Sequence, residues 1–379
     1  MEKKKPLTRF GEFEFLKAMA IVGLPLIHLM EEAIEAGMAS SGLQTFGYGI
    51  IGLCAFGPSV FMICMGFGIG GGKTSADAIK RNGIQFLLIG GLLNIFRWLI
   101  PGIIQSFILG TNLLNDIDFC LQSDIYYFVG IFFIFYAFLK KHKVSTPQLL
   151  LISIITLTIN NALTPLMQHY VTNPIAYSLI GNIIYVNETS CFPLLSWAIF
   201  PTVGIILGEV LKKNTDEFRA VFMRRMLDFS LVLFLSFVFF LWNYKIDFFK
   251  VLVSPDNDYI TDLPNVIMLL TLACFLIGMA YYLCQKIGHT KFMGSVLKLS
   301  AFIIPFYLTQ WVIISWIFYT LEDMHAKAGC FGFPSFIICV VVITAFCLYV
   351  ATQHGMKIMK VIMKYTTVKK KRKKKVAKK

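Results

Sequence analysis

Charge is what this chain has least of. Only 15% of its 379 residues are Asp, Glu, Lys or Arg, and most of these fall in short clusters between apolar runs. No polar stretch is long enough to fold as a soluble domain, which leaves no place for a soluble sensor input or output. The nine cysteines have no C-x-x-C spacing, so there is no zinc or disulfide framework to read. Most sit inside apolar runs and are expected to pack as small hydrophobes. The first apolar run lacks a small-residue cleavage site and is expected to stay as a helix. No inverted repeat of the kind many transporters carry is visible.

What is there is hydrophobic. The chain is 57% apolar with a mean hydropathy of +0.70, against about 45–50% apolar in soluble proteins. It needs an apolar solvent. The net charge of +14 would suit a nucleic acid, but it lies in membrane-flanking loops and in the tail KKKRKKKVAKK, Lys369 to Lys379. No nucleic-acid partner is expected. The tail reads as a cytoplasmic anchor near anionic membrane lipids.

A helix needs ~20 apolar residues to cross the ~30 Å hydrocarbon layer. By that measure the chain is expected to be all-α, a polytopic membrane bundle of about ten spans. The first four run from Phe13 to Met30, Phe46 to Ile69, Asn82 to Ile100 and Ile125 to Leu139. The next three run from Leu149 to Leu163, Phe192 to Val210 and Met226 to Trp242. The last three run from Leu263 to Leu283, Leu299 to Leu321 and Pro334 to Ala351. The connection from Thr164 to Thr189 is long, mildly apolar and expected at the interface.

Basic residues alternate between connections. One side holds Lys3–Lys5, Arg9, Lys73, Lys80, Arg81, Lys140, Lys141, Lys143, Lys212, Lys213, Arg219, Arg224, Arg225, Lys286, Lys291, Lys298 and the tail. The other holds only Lys245, Lys250 and Lys327. The positive-inside rule puts the basic side in the cytoplasm, with both termini there.

Ionisable groups at membrane depth are expensive and are functional hypotheses by default. The first span reads FEFLKAMAIVGLPLIHLMEE. Lys17 and His28 are eleven residues apart, so they share a helix face, and Glu14, Glu31 and Glu32 join the stripe. His28 reads as a general base with Glu31 or Glu32 orienting its ring, or else as a packing histidine, the two acids then forming a solvated helix end. Lys17 either serves the site or snorkels to the inner headgroups. Arg97 lies roughly 22 Å above Asn82 by helical rise, near the level of His28. It is a site residue or an anchor just before Pro101. Asn94 is one turn below Arg97, and Asn160, Asn161 and Gln310 reach similar depths, as site groups or as interhelical glue.

The loop GFGIGGGKTSADAIKR invites a phosphate-loop reading, but G-x-x-x-x-G-K-[ST] needs glycine where Phe67 stands. An ATPase is excluded. Lys73, Lys80 and Arg81 remain able to hold an anion at the foot of a helix. The alternative is a topogenic loop whose glycines pack helices.

These residues resemble the acyltransferase 3 family, within the wider superfamily of multipass membrane acyltransferases. That family's first helix carries an acid, two positions, Arg, ten positions, then His. Glu14, Lys17 and His28 stand in that register, with Lys17 keeping the charge but not the guanidinium fork. The segment FGPSVFMICMGFGIG is similar to the family's P-x-F-F-x-x-x-G-F. KLSAFIIPFYLTQWVI is similar to its S-x-x-x-Y-L-x-H, with Ser300, Tyr307 and Leu308 in place and Gln310 where His is usual. GIQFLLIGGLLNIFR and SDIYYFVGIFF look more like the heparan N-acetyltransferase branch.

The resemblance implies that residues 1–365 form a transmembrane acyltransferase-like domain, followed by a basic cytoplasmic tail, 366–379. It implies an acyl-CoA donor, most often acetyl-CoA, and no metal. The acceptor would be an extracytoplasmic hydroxyl or amine, typically on a glycan or lipid-linked, and the setting a bacterial cytoplasmic membrane. Lys17, Lys73, Lys80 and Arg81 would bind the CoA phosphates. His28 would deprotonate the acceptor or take the acyl group itself, and Arg97 would stabilise the oxyanion. Glu14, Asn94, Asn160, Asn161, Tyr307 and Gln310 would support the site. The rival expectation is a transporter or flippase for a polar or lipid-linked substrate, with Pro25, Pro201 and Pro305 breaking helices.

Overall fold

The computed structural model describes residues 10–54, 56–72, 74–109, 121, 124–185, 191–245, 263–323, 329–355, 357 and 360. Among them the chain is helical, and its extended pairing is a single bridge between Ala39 and Phe331. Among the described residues eight helices are long and apolar enough to cross a bilayer, which makes the chain an integral, multi-pass membrane protein.

The helices follow the apolar runs closely. They are α1 (Gly11–Glu35), α2 (Ser41–Cys54), α3 (Gly57–Ile69), α4 (Ala76–Asn94) and α5 (Ile100–Leu109). Then come α6 (Ile125–Lys141), α7 (Thr146–Tyr170), α8 (Pro174–Gly181), α9 (Leu194–Trp197), α10 (Ile199–Lys213) and α11 (Asp216–Asn243). The last are α12 (Leu263–Ile287), α13 (Lys291–Leu299), α14 (Ile303–Asp323) and α15 (Phe333–Val350).

Three of these differ from the sequence expectation. The expected second span, 46–69, is two helices, α2 and α3, with Pro58 in the first turn of α3. The expected fourth span is α6, 17 residues that run on two residues past the expected end at Leu139. Helix α7 runs on past Thr164 to Tyr170, through Pro165, so the expected interfacial loop begins later and carries α8.

Helix α1 is the hub. It packs against α2, α3, α12, α13, α14 and α15. Two apolar clusters flank it. One gathers α3, α4, α6, α7 and α9–α12 around Phe132, Phe200 and Ile277. The other gathers α1, α2, α14 and α15 around Ile21, Leu29, Phe306 and Phe336. The outward faces of α11 and α15 stay apolar, with Phe229, Val232, Phe239, Ile338 and Val341 exposed. In lipid such faces are at home.

Glycines set the closest packing. A Cβ on Gly66 would run into the Pro201 carbonyl, and one on Gly204 into the Ile63 carbonyl. Gly70 and Gly208 repeat the arrangement one turn further on. Helices α3 and α10 therefore touch backbone to backbone, the small-residue mode of membrane helices. Lys212 completes the junction by donating to the carbonyls of Phe67, Gly68 and Gly70, which end α3.

One long helix is irregular. Between α4 and α5 the residues Ile95–Leu99 form a π turn, and Ile100 N–H bonds to Ile95 O. Pro101 follows at once and has no N–H for the Arg97 carbonyl. The π turn also frees the Phe96 carbonyl, which accepts Trp316 Nε1–H at 2.8 Å from α14. Such turns insert a residue and re-aim side chains. Here the re-aimed residue is Arg97.

Candidate active site

His28 is the one buried histidine among the described residues. Its Nδ1 lies 2.9 Å from Glu31 Oε2, three residues on along α1. An ionised carboxylate only accepts, so Glu31 fixes Nδ1 as the donor and leaves Nε2 with a lone pair. That Nε2 is buried with no hydrogen-bond partner among the described residues.

The imidazole sits against aromatic rings from α14. The Trp311 ring centroid is 4.0 Å away, and Tyr307 meets His28 edge-on at 6.1 Å. Tyr307 is held in turn. Its hydroxyl donates to Asp124 Oδ2 at 3.1 Å, while Asp124 Oδ1 caps α6 by accepting Tyr126 N–H at 3.0 Å.

Arg97 joins from the π turn. Its Nη2 donates to Glu32 Oε1 at 3.2 Å and its Nε to Ser315 Oγ at 3.1 Å. Its guanidinium carbon lies 3.5 Å from the Trp311 ring centroid and 4.4 Å from that of Trp98. Trp311 thus touches both His28 and Arg97. Stacking on aromatic rings suits a planar guanidinium and would suit an ammonium less well. Asn94, one turn before Arg97, is buried.

The α1 stripe of ionisable groups divides in two. Lys17 pairs with Glu14 at 2.8 Å, and the other Glu14 oxygen accepts the Ser300 hydroxyl at the junction of α13 and α14. Lys17 and His28 do share a face, but eleven residues of helix separate them by ~16 Å. They form two stations along one helix.

The remaining expected site residues are dispersed. Asn160 accepts Tyr185 N–H at 2.9 Å, and its helix packs on α9 and α10, so its oxygen secures another junction. Asn161 is half-buried on the same helix. Lys80 and Arg81 are exposed on the first turns of α4, and Lys73 lies outside the described residues. Gln310 is fully buried, between Tyr307 and Trp311 in sequence.

Sequence reasoning missed Asp124, Trp311, Ser315 and a second buried ion pair. Asp124 was legible as an acid directly before an apolar helix. Trp311 and Ser315 continue the Tyr307 face at intervals of four. The ion pair joins Arg219 Nη2 to Glu12 at 2.8 and 2.6 Å, with Phe10 and Tyr281 against the guanidinium. Arg219 counted only as a loop charge in the topology.

No three His, Cys, Asp or Glu side chains converge on one point among the described residues. An apolar groove between α11 and α12, lined by Leu233, Phe237, Ile267 and Met268, stands apart from the polar cluster. The comparisons add no relative: no family model, no curated protein and no solved structure matches the chain.

Proposed function

We propose that the chain is a membrane-embedded acyltransferase of the acyltransferase 3 kind. It moves an acyl group, in the first instance acetyl, from cytoplasmic acyl-CoA to a hydroxyl or amine of an extracytoplasmic acceptor, a glycan or a lipid-linked molecule. Ten crossings, with both termini in the cytoplasm of a bacterial cell, belong to this reading. The observation that carries it is the state of His28: one ring nitrogen bound to Glu31, the other buried and unengaged, with Arg97 beside the same indole.

In this reading Nε2 removes the acceptor proton as the acceptor attacks the thioester carbonyl. The tetrahedral oxyanion forms beside Arg97, in a site where a fixed charge counts for more than in water. The C–S bond breaks, and the imidazolium returns the proton to the CoA thiolate. In the covalent variant Nε2 attacks first and the CoA thiolate leaves; the acceptor then takes the acyl group from the acyl-imidazole, its proton passing to the thiolate and Nε2 being freed. Lys17, Lys73, Lys80 and Arg81 bind the donor phosphates.

Incubation of the purified protein with labelled acetyl-CoA tests the reading. It expects release of free CoA that depends on His28, or label on His28 itself. A His28→Ala variant that folds and forms product at the wild-type rate overturns it. Lys17→Ala should weaken the apparent donor affinity; an unchanged donor titration withdraws that role.

The second reading is a transporter or flippase of a polar or lipid-linked substrate. The break between α2 and α3 and the π turn at Arg97 favour it, because transporters use interrupted helices at their sites. Uptake into vesicles without CoA release would select it.

A further inference from the structure

Gln310 is fully buried, and neither its Oε1 nor its Nε2 has a hydrogen-bond partner among the described residues. Its neighbours one turn away in each direction, Phe306 and Ile314, belong to the apolar cluster between α1, α14 and α15. A primary amide in such a place holds two donors and an acceptor away from water. A methionine would fill similar volume without that cost. A buried amide with nothing to bind calls for an explanation, and a bound ligand is one.

Its position supplies the ligand's address. Tyr307 and Trp311, three residues before it and one after, both contact the His28 ring. Helices α1 and α14 pack directly on one another. The seam between them also holds His28 Nε2, another buried polar atom without a partner among the described residues.

We propose that Gln310 recognises a secondary amide of the substrate, its Nε2 donating to an amide carbonyl or its Oε1 accepting an amide N–H. A trans secondary amide points its C=O and N–H in opposite directions, so each ligand amide takes one of these bonds and two amides of one ligand can take both. The inference rests on the acyl-CoA reading. There the pantetheine arm brings two secondary amides, the nearer one two methylenes from the thioester sulfur. Gln310 would hold the arm while His28 faces the reacting carbonyl. An N-acetylated sugar acceptor would bring the same group from the other side. Either way, a site built to pair with an amide discriminates strongly against an analogue that lacks it.

The test uses the full chain in detergent and the variant Gln310→Met. Its ligand-free Tm should equal or exceed that of wild type, since an unpaired amide is removed. Affinity for CoA and for pantetheine should fall tenfold or more, while adenosine 3′,5′-bisphosphate, which lacks the arm, binds as before. A fall for N-acetylglucosamine with CoA unchanged would assign the amide to the acceptor. Equal binding of CoA, pantetheine and N-acetylglucosamine by both proteins overturns the inference alone. So does a sharp drop in ligand-free Tm, which would mean the amide is paired within the protein. A wild-type chain that binds no CoA overturns the acyl-CoA reading, and this inference with it.

Discussion

His28 Nδ1 and Glu31 Oε2 stand 2.9 Å apart on one face of α1, and this pairing decides which ring nitrogen is free. Glu31→Gln keeps the shape but can present an N–H to Nδ1, which favours the other tautomer and blocks Nε2 as a base. Turnover should drop by about 10²-fold or more, within the range that a positioned acid–base group contributes. His28→Ala should fall to background. Single-turnover CoA release checks both, and a Glu31→Gln enzyme with wild-type turnover would remove Glu31 from the mechanism.

Arg97 and Glu32 separate stability from chemistry. Both side chains are largely buried, so Arg97→Met leaves the Glu32 carboxylate uncompensated in a poorly solvated place. Unfolding should become easier by about 3–5 kcal/mol, the usual cost of breaking a buried pair. The double variant Arg97→Met with Glu32→Gln should recover most of that stability and none of the turnover. Thermal unfolding in micelles and CoA release, measured together, read the two effects. If the double variant regained activity, Arg97 would be a structural ion-pair partner alone.

Much of this site was legible along the chain, and the limits have physical causes. The register of Glu14, Lys17 and His28 needs only helical geometry and one apolar run, and α1 carries all three on one face. The run from 46 to 69 is apolar throughout, so periodicity marks no break where α2 gives way to α3. Asp124 and Arg219 were harder. Each lies beside an apolar segment, where a charge normally serves topology, and only tertiary packing turns it inward. Asn160 reached the expected depth on a helix that packs elsewhere. Depth is a property of one helix, but a site needs a shared interface.

The pair Glu12–Arg219 should behave as a lock between α1 and α11. Its two bonds and the aromatic faces of Phe10 and Tyr281 leave the charges almost wholly buried. Arg219→Ala should lower stability by about 3–5 kcal/mol, because Glu12 then has no counter-charge. Replacing both, with Glu12→Leu and Arg219→Met, should cost far less. Lys in place of Arg219 should not rescue fully, since it loses the planar guanidinium that lies against Phe10 and Tyr281. Unfolding midpoints of the three variants check the order.

The glycines of the segment GFGIGGG separate helix packing from anion binding. A Cβ on Gly66 would run into the Pro201 backbone of α10, whereas Gly68, two residues on, has open space around its Cβ position. Gly66→Ala should therefore push α3 off α10 and lower both yield and Tm, because no side chain at the contact can rotate away. Gly68→Ala should be neutral, or stabilising by about 0.5–1 kcal/mol, the gain from alanine inside a helix. A flexible phosphate cradle would reverse the emphasis: donor affinity would suffer at Gly68 while the fold tolerated Gly66→Ala. Measuring Tm and CoA affinity for both variants distinguishes the two, and backbone contact between α3 and α10 predicts a loss at Gly66 alone.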